Sequence, residues 1–255
     1  MTRRTPASRP AQRSTAGSAP ARVPKAAQVR VLVAGGTGLV GRALLAQLVA
    51  DPRCRSVTAL VRKPAQRQGL PRGVTALLVD YATLGQPGTP ALPAADWAFC
   101  CLGTTIKTAG SQAAFRAADL DAVLAFGRAA QAAGVNRIGV VSAMGANARS
   151  SVFYNRIKGE AEQALAALGL QHLVFARPSL LLGDRTALGQ PARTGERVAQ
   201  VLMPVLRCLL PRKLRPISAT AVATALHRAV ADATPGTTVL TSDTLASLAA
   251  SQPAA

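Results

Sequence analysis

The chain has 255 residues, 49% of them hydrophobic, and a formal charge of +19 from 30 basic and 11 acidic residues. That length admits one large domain or two small ones, and with only 3% aromatic residues its core must be mostly Leu, Val and Ala. No apolar run approaches the roughly 20 residues that span a bilayer, so no membrane-spanning helix is expected, nor a secretory leader. The four thiols, Cys54, Cys100, Cys101 and Cys208, form no C-x-x-C pair, and the histidines are His172 and His227 alone. No metal site is therefore expected, and the thiols read as reduced and structural, which fits a cytoplasmic protein.

Residues 1–27 are rich in Ala, Pro, Arg and Ser and read as a disordered basic tail. Organelle targeting by this tail is the alternative, against which Pro6, Pro10, Pro20 and Pro24 would break an amphipathic helix. Strand and helix then alternate. Strands are predicted over Val29–Ala34, Ser56–Val61, Val74–Val79, Ala95–Cys101, Arg137–Ser142 and His172–Ala176. Helices are predicted over Leu39–Ala50, Ser111–Ala133 and Ser151–Leu168, the second started by Ser111 and stopped by Gly134, the third stopped by Gly169. Short apolar strands separated by helices give an α/β, doubly wound parallel sheet, a Rossmann fold, with strand order 3-2-1-4-5-6 by analogy. Gly195–Leu210 and Ala219–Val230 read as helices of a small C-terminal lobe, about 177–236. Val239–Leu240 is a last short strand, which closes the domain at 28–241, and residues 242–255 are expected to be a loose tail.

The first strand runs into Gly35-Gly36-Thr37-Gly38-Leu39-Val40-Gly41, a strand, tight turn and helix start. It satisfies G-x-G-x-x-G through Gly36, Gly38 and Gly41, and G-x-x-G-x-x-G through Gly35, Gly38 and Gly41. Glycines let phosphate approach the backbone, and the N–H groups of the first helical turn face it, so a dinucleotide pyrophosphate is expected here. At the end of the second strand, where an NAD-preferring fold has Asp or Glu, stand Arg62 and Lys63. A guanidinium there binds a 2′-phosphate through charge-assisted hydrogen bonds, so NADP(H) is preferred over NAD(H). Asp80, ending the third strand, sits where an adenine amino group is met.

Tyr154-Asn155-Arg156-Ile157-Lys158 puts a tyrosine and a lysine at i and i+4, on one helix face. A free phenol titrates near about 10, and a neighbouring ammonium favours the phenolate. Tyr154 is then the general acid for carbonyl reduction or the base for alcohol oxidation, and Lys158 also binds the nicotinamide ribose. Ser142, at the end of the fifth strand, is a candidate to polarise the substrate carbonyl, or else it caps the strand.

Together these elements resemble the short-chain dehydrogenase/reductase superfamily. Within it the match is to the atypical group related to the Tat-interacting oxidoreductase-like protein and its bacterial and fungal relatives. The resemblance rests on Cys100-Cys101-Leu102-Gly103-Thr104-Thr105, Val141-Ser142-Ala143-Met144-Gly145-Ala146, Phe153 to Glu160, Arg177-Pro178-Ser179-Leu180-Leu181-Leu182-Gly183 and Arg215-Pro216-Ile217. It implies that Gly103 and Thr104 line the cofactor near its ribose and nicotinamide, and that Pro178 and Ser179 close over the nicotinamide end. Many members carry a serine pair at the fifth strand end, often with the second acting. This chain has Ser142-Ala143, leaving Thr104 or Thr105 as substitutes.

The function expected is an NADPH-dependent oxidoreductase acting on a small-molecule carbonyl or alcohol. A nucleotide-sugar epimerase or dehydratase and a non-catalytic NADPH-binding regulator are the alternatives. The basic charge without aromatic interleaving predicts no specific nucleic acid. A weak contact with anionic membrane is assigned to the basic amphipathic stretch Gly195–Lys213.

Overall fold

A computed structural model describes residues 28–182 and 211–251. Its main sheet has seven parallel strands: β1 Val29–Ala34, β2 Cys54–Val61, β3 Val74–Leu78, β4 Trp97–Cys100, β5 Arg137–Val141, β6 His172–Arg177 and β9 Gly236–Thr241, in the order β3-β2-β1-β4-β5-β6-β9. Strands β7 Leu181–Leu182 and β8 Ile217–Ser218 pair separately. The Rossmann order read by analogy is therefore observed, with one strand more at the β6 edge.

Both faces of the sheet are buried, which is why its strands read as nearly continuous apolar runs. Leu32, Ala34, Ala98, Cys100, Ile138, Val140, Leu173 and Phe175 face one core. That core is closed by α3 Gln112–Arg116, α4 Ala122–Ala132 and α5 Phe153–Ala166, through Phe115, Val123, Phe126, Ile157 and Leu165. The alternate residues Val31, Val33, Trp97, Phe99, Val174 and Ala176 face a second core. It is closed by Leu44, Leu45 and Leu48 of α1 (Leu39–Ala50), and by Val222, Leu226 and Val230 of α6 (Ala219–Ala231).

The expected Ser111–Ala133 helix is present with a difference. Ser111 caps α3 by accepting the Ala114 N–H at 3.1 Å, and Gly134 ends α4 at φ +85°. Between α3 and α4, Ala117–Asp121 forms a π turn, which buries Asp119 completely. Such wide turns concentrate at functional sites.

Of the C-terminal lobe, Gly195–Leu210 lies outside the described residues. Helix α6, capped by Ser218 Oγ on the Ala221 N–H, lies against α1, with Gln47 Nε2 donating to Thr224 Oγ1 at 3.0 Å. The last strand is longer than expected, because Gly236–Thr241 pairs along all of β6. The loose tail expected from Ser242 is instead helix α7, Ser242–Ala250. Leu245 is fully buried in the second core, and Arg228 Nη1 donates to the Leu248 carbonyl at 2.6 Å. The Ser-Asp-Thr run that looks like loop composition is a helix start: Asp243 lies in the first turn, where an acid suits the helix dipole, and Thr241 Oγ1 donates to it at 2.5 Å.

Strand register sets the position of everything functional. Ala34 pairs with Leu60 and with Cys100, Cys100 with Val140, and Val140 with Phe175. The segments that follow these residues therefore emerge side by side at one edge. They include the glycine turn, Arg62-Lys63, Gly103-Thr104, Ser142-Ala143 and Pro178-Ser179. The strand order reverses between β1 and β4, and ligands of such folds bind at that crevice.

Candidate functional site

The glycine turn has a built reason for its composition. Gly35 stands at φ +76°, and a Cβ there would lie 2.4 Å from the Cys101 carbonyl. At Gly41 a Cβ would lie 2.2 Å from the Gly35 oxygen, so the start of α1 rests directly on the turn. Gly38 closes that turn through its N–H to the Gly35 carbonyl at 3.1 Å. No side chain caps α1, and no acid stands in its first turn. The amides of Leu39, Val40 and Gly41 are thus the orphan donors of a helix N-terminus, the form that receives a phosphate. A glycine turn packed this closely on its own helix, with those amides open beyond it, fits a dinucleotide pyrophosphate.

Arg62 and Lys63 follow β2 with exposed side chains. Their backbone amides both donate to Gln66 Oε1, at 2.8 and 3.0 Å, and Gln66 Nε2 makes a long 3.5 Å contact with Thr37 Oγ1. Gln66 thereby ties the basic pair to the glycine turn while leaving both cationic heads at the crevice. The sequence reading missed it, although Pro64 then Gln66 is a helix-start signature. Asp80 is exposed at the end of β3, and its carboxylate accepts the Ala82 N–H at 2.9 Å.

The chain has two tyrosines, and the structure separates them. Tyr81 is buried without a partner for its hydroxyl among the described residues, and burial first, then the nearby Cys100 thiol, pushes its phenol far up. Tyr154 is half-buried on α5, its ring 5.5 Å from that of Phe115. One turn on, Lys158 is buried, and its Nζ lies 2.7 Å from Oδ1 of fully buried Asp119. The other Asp119 oxygen accepts the Thr104 N–H at 2.8 Å. Burial, the largest single effect, lowers the Lys158 ammonium, but the Asp119 carboxylate together with Tyr154 and Cys100 holds the group above its ordinary value. Asp119 thus fixes the lysine and the loop after β4 together. It too was missed, although an acid at i+4 from Phe115 and i−4 from Val123, on an otherwise apolar stripe, is an anomaly visible in the sequence.

Ser142 borders the same small cavity as Asp119, Lys158 and Glu162. Its hydroxyl is already committed: it donates to Glu162 Oε1, and Glu162 accepts Arg177 Nε at 3.0 Å and Nη2 at 2.5 Å. Ser142 shares the parity of Val140 along β5, so it turns under α5 and joins a buried network rather than presenting a free proton to the crevice. This bond fits the other role expected of Ser142, fastening the strand end. Ala143 is buried and brings no hydroxyl. Of the two substitutes, Thr105 caps a short helix, α2 (Ile106–Ala109), by accepting the Thr108 N–H at 3.1 Å. The half-buried Thr104 has a hydroxyl without a partner among the described residues. Gly103 stands beside the ion pair, its Cβ position 3.6 Å from both Asp119 Oδ1 and Lys158 Nζ. Pro178 accepts the Met144 N–H on its carbonyl at 2.9 Å. Ser179 spends its hydroxyl on the Arg215 carbonyl at 2.6 Å and on Ser242 Oγ at 3.0 Å, so only its backbone is left to line the crevice.

Comparison with known proteins agrees with this geometry. Residues 35–206 match the family described as NAD(P)H-binding. Protein HTATIP2 of Rattus norvegicus is 33% identical over 171 residues, 67% of this chain and 68% of that protein. Protein FMP52, mitochondrial, of Coccidioides immitis is 32% identical over 162 residues, 60% of this chain and 66% of that protein. The second name does not fit the cytoplasmic expectation. Among solved structures, MoeE5 in complex with UDP-glucose and NAD superposes with a TM-score of 0.62 at 19% identity, covering 83% of this chain and 75% of that one. A UDP-N-acetylglucosamine 4-epimerase from Methanobrevibacter ruminantium gives 0.62 at 15% identity, covering 84% and 76%. These likenesses show the Rossmann-type fold. Among the described residues no helix is long and apolar enough to cross a membrane. With a family model covering residues 35–206 and the rat relative matched over two thirds of its length, the resemblance read from the motifs holds, and the chain belongs to the NAD(P)H-binding family.

Proposed function

We propose that the chain is an NADPH-dependent oxidoreductase of the short-chain dehydrogenase/reductase type, acting on a small-molecule carbonyl or alcohol with Tyr154 as general acid or base. The observation that carries this reading is the buried Lys158–Asp119 pair, one helical turn from Tyr154 and bonded to the loop at Thr104. Gly35, Gly36, Thr37, Gly38, Leu39, Val40 and Gly41 would hold the pyrophosphate, Arg62 and Lys63 the 2′-phosphate, and Asp80 the adenine. Gly103, Thr104, Lys158 and the backbone of Pro178 and Ser179 would line the nicotinamide half. When bound, the cofactor supplies hydride to a carbonyl carbon, or accepts it from an alcohol.

Tyr154 gives its phenolic proton to the oxygen that becomes the alcohol, and takes it back in the reverse direction. Because Asp119 neutralises Lys158, the lysine acts as a fixed hydrogen-bond donor more than as a bare charge. Thr104 supplies the second hydroxyl toward the substrate oxygen, since the Ser142 proton is spent on Glu162. Steady-state reduction across a carbonyl panel with NADPH tests the reading. Tyr154→Phe is expected to abolish turnover while leaving NADPH binding intact, and unchanged turnover would remove Tyr154 from the mechanism.

The committed Ser142 hydroxyl and the missing one at Ala143 favour a second reading, a non-catalytic NADPH-binding regulator. Tight binding without turnover on any carbonyl, with a protein partner whose capture depends on the redox state of the cofactor, selects it. Turnover of a nucleotide sugar with no net change in cofactor would instead select epimerisation. A cytoplasmic location belongs to the same proposal, and fractionation of cells expressing the full chain and residues 28–255 checks it against a mitochondrial one. Contact with anionic membrane rests on Gly195–Lys213, mostly outside the described residues, and co-sedimentation with anionic vesicles at low salt checks it.

A further inference from the structure

The far end of the sheet, away from the crevice, gathers a second set of chemistry-bearing side chains. Asp51 caps the C-terminus of α1, Cys54 opens β2, and His227 stands in the middle of α6. The carboxylate oxygen, thiol sulfur and imidazole nitrogen they offer all lie within 4.8 Å of one another. His227 Nε2 is 3.0 Å from Asp51 Oδ2 yet has no hydrogen bond of acceptable geometry among the described residues, although the atom is buried. A buried polar nitrogen without a hydrogen bond calls for a physical account. Its ring is held edge-on against Trp97 and Phe99, at 6.3 Å from each, so it does not turn away easily.

We propose that Asp51, Cys54 and His227 form a binding site for a divalent transition metal of the zinc class, bridging the α1–β2 corner to α6. One thiolate, one imidazole and one carboxylate are the mixed donor set that a borderline-soft cation takes, and a single carboxylate is far from the oxygen cage that calcium or magnesium requires. Three protein ligands leave a fourth position for water. Metal–ligand bonds of about 2.0–2.3 Å put ligand atoms within about 4 Å of each other, so the cluster must contract by less than about 1 Å. Rotation of the half-buried Cys54 side chain supplies that movement.

Arg53 is the apparent obstacle, because its guanidinium forks onto both Asp51 oxygens at 2.8–3.1 Å. The Arg53 side chain is 45% exposed and the Asp51 side chain 9%, so the cation that must leave is the one already half in water. Cys54 is a free thiol in this site. Binding is then an exchange in which a sulfur–metal bond forms, the S–H bond breaks and one proton goes to solvent. Sequence spacing could not show this site, since its ligands come from the first and last thirds of the chain.

The test uses the full chain, stripped of metal by a chelator and titrated with Co2+ and then Zn2+. The expected result is one Co2+ per chain with thiolate-to-metal charge-transfer absorption, displaced by Zn2+. Trp97 is the only tryptophan of the chain, and its fluorescence should be quenched by Co2+ in parallel. Cys54→Ser and His227→Gln should each weaken binding by more than about 100-fold, beyond the roughly 10–100-fold that outer-shell partners cost. Cys208→Ser should change nothing, and NADPH affinity should be untouched throughout. Wild-type protein without the charge-transfer band, or a band that survives in Cys54→Ser, overturns the proposal.

Discussion

Replacing Asp119 by Asn removes one charge of the buried pair and keeps an oxygen that accepts the Thr104 N–H. Lys158 is 6% exposed and Asp119 not at all, so the variant leaves an ammonium desolvated and unpaired. Breaking a buried pair by removing one partner costs about 3–5 kcal/mol. Against a typical total of about 5–15 kcal/mol this is a large share, and at roughly 2–4 °C per kcal/mol it lowers Tm by about 6–20 °C. The pH dependence has a definite sign. In the wild type the folded value of Lys158 stands above the unfolded 10.5, so its contribution is fully present below 10.5 and is lost as pH rises through the folded value. In Asp119→Asn burial, the largest cause, is opposed only by the smaller effects of Tyr154 and Cys100, so the folded value is lowered and the penalty fades as pH approaches 10.5 from below. Urea denaturation of both proteins across alkaline pH should therefore show a gap that is widest near neutrality and narrows toward pH 10. Adding Lys158→Met should recover part of the loss, since it removes the unpaired buried charge that Asp119→Asn leaves behind. A loss below about 1 kcal/mol, or a gap independent of pH, would show that Lys158 reaches water and would refute the buried-pair account.

Arg62→Asp should weaken NADPH about 10–100-fold, the equivalent of one charge-assisted hydrogen bond at roughly 1.5–3 kcal/mol, while leaving NADH nearly unchanged by calorimetric titration. Equal losses for both cofactors would sink the 2′-phosphate assignment. Gly41→Ala drives a Cβ to 2.2 Å from the Gly35 oxygen and should abolish cofactor binding, seen as loss of the NADPH-induced rise in Tm. Ser142→Ala should cost about 1–2 kcal/mol of stability by leaving Glu162 Oε1 with Arg177 as its one remaining donor, with turnover largely kept. A variant folded as well as the wild type but inactive would return Ser142 to the chemistry.

Much of this molecule is legible in its residues because the signals are local. A strand buried on both faces must be apolar at every position, and a turn that packs α1 on its own carbonyl must be glycine at 35 and 41. What escaped was set by tertiary neighbours. Gln66 matters because Thr37 and the amides of residues 62 and 63 lie around it, and Asp119 matters because Lys158 comes from another helix. Ser142 looked available because its strand end faces the crevice, while the acid that takes its proton sits twenty residues on. The helix over Ser242–Ala250 was hidden by an N-terminal Ser-Asp-Thr, which is common to loops and to helix caps, and only the burial of Leu245 decides between them. The tyrosine and lysine at i and i+4 were visible from spacing; the carboxylate that balances the lysine's charge was not.

The π turn at Ala117–Asp121 bears on how this chain tolerates insertions and deletions. In a uniform α-helix Phe115 would be in phase with Asp119, and Leu120 would fall roughly 140° away. With the wide turn, Phe115 and Leu120 both reach the first core while Asp119 is directed at Lys158. One extra residue thus keeps two halves of a helix in step with one core. Removing a residue such as Ala118 would make Phe115 and Leu120 i and i+4 of a regular helix, keeping both on the core while closing the wide turn that directs Asp119 at Lys158. A deletion here should therefore leave the fold largely in place and cost the site its carboxylate, whereas one in the exposed turns at Gly85 and Gly88 before β4 should leave the site untouched, and turnover of the two deletion variants checks this.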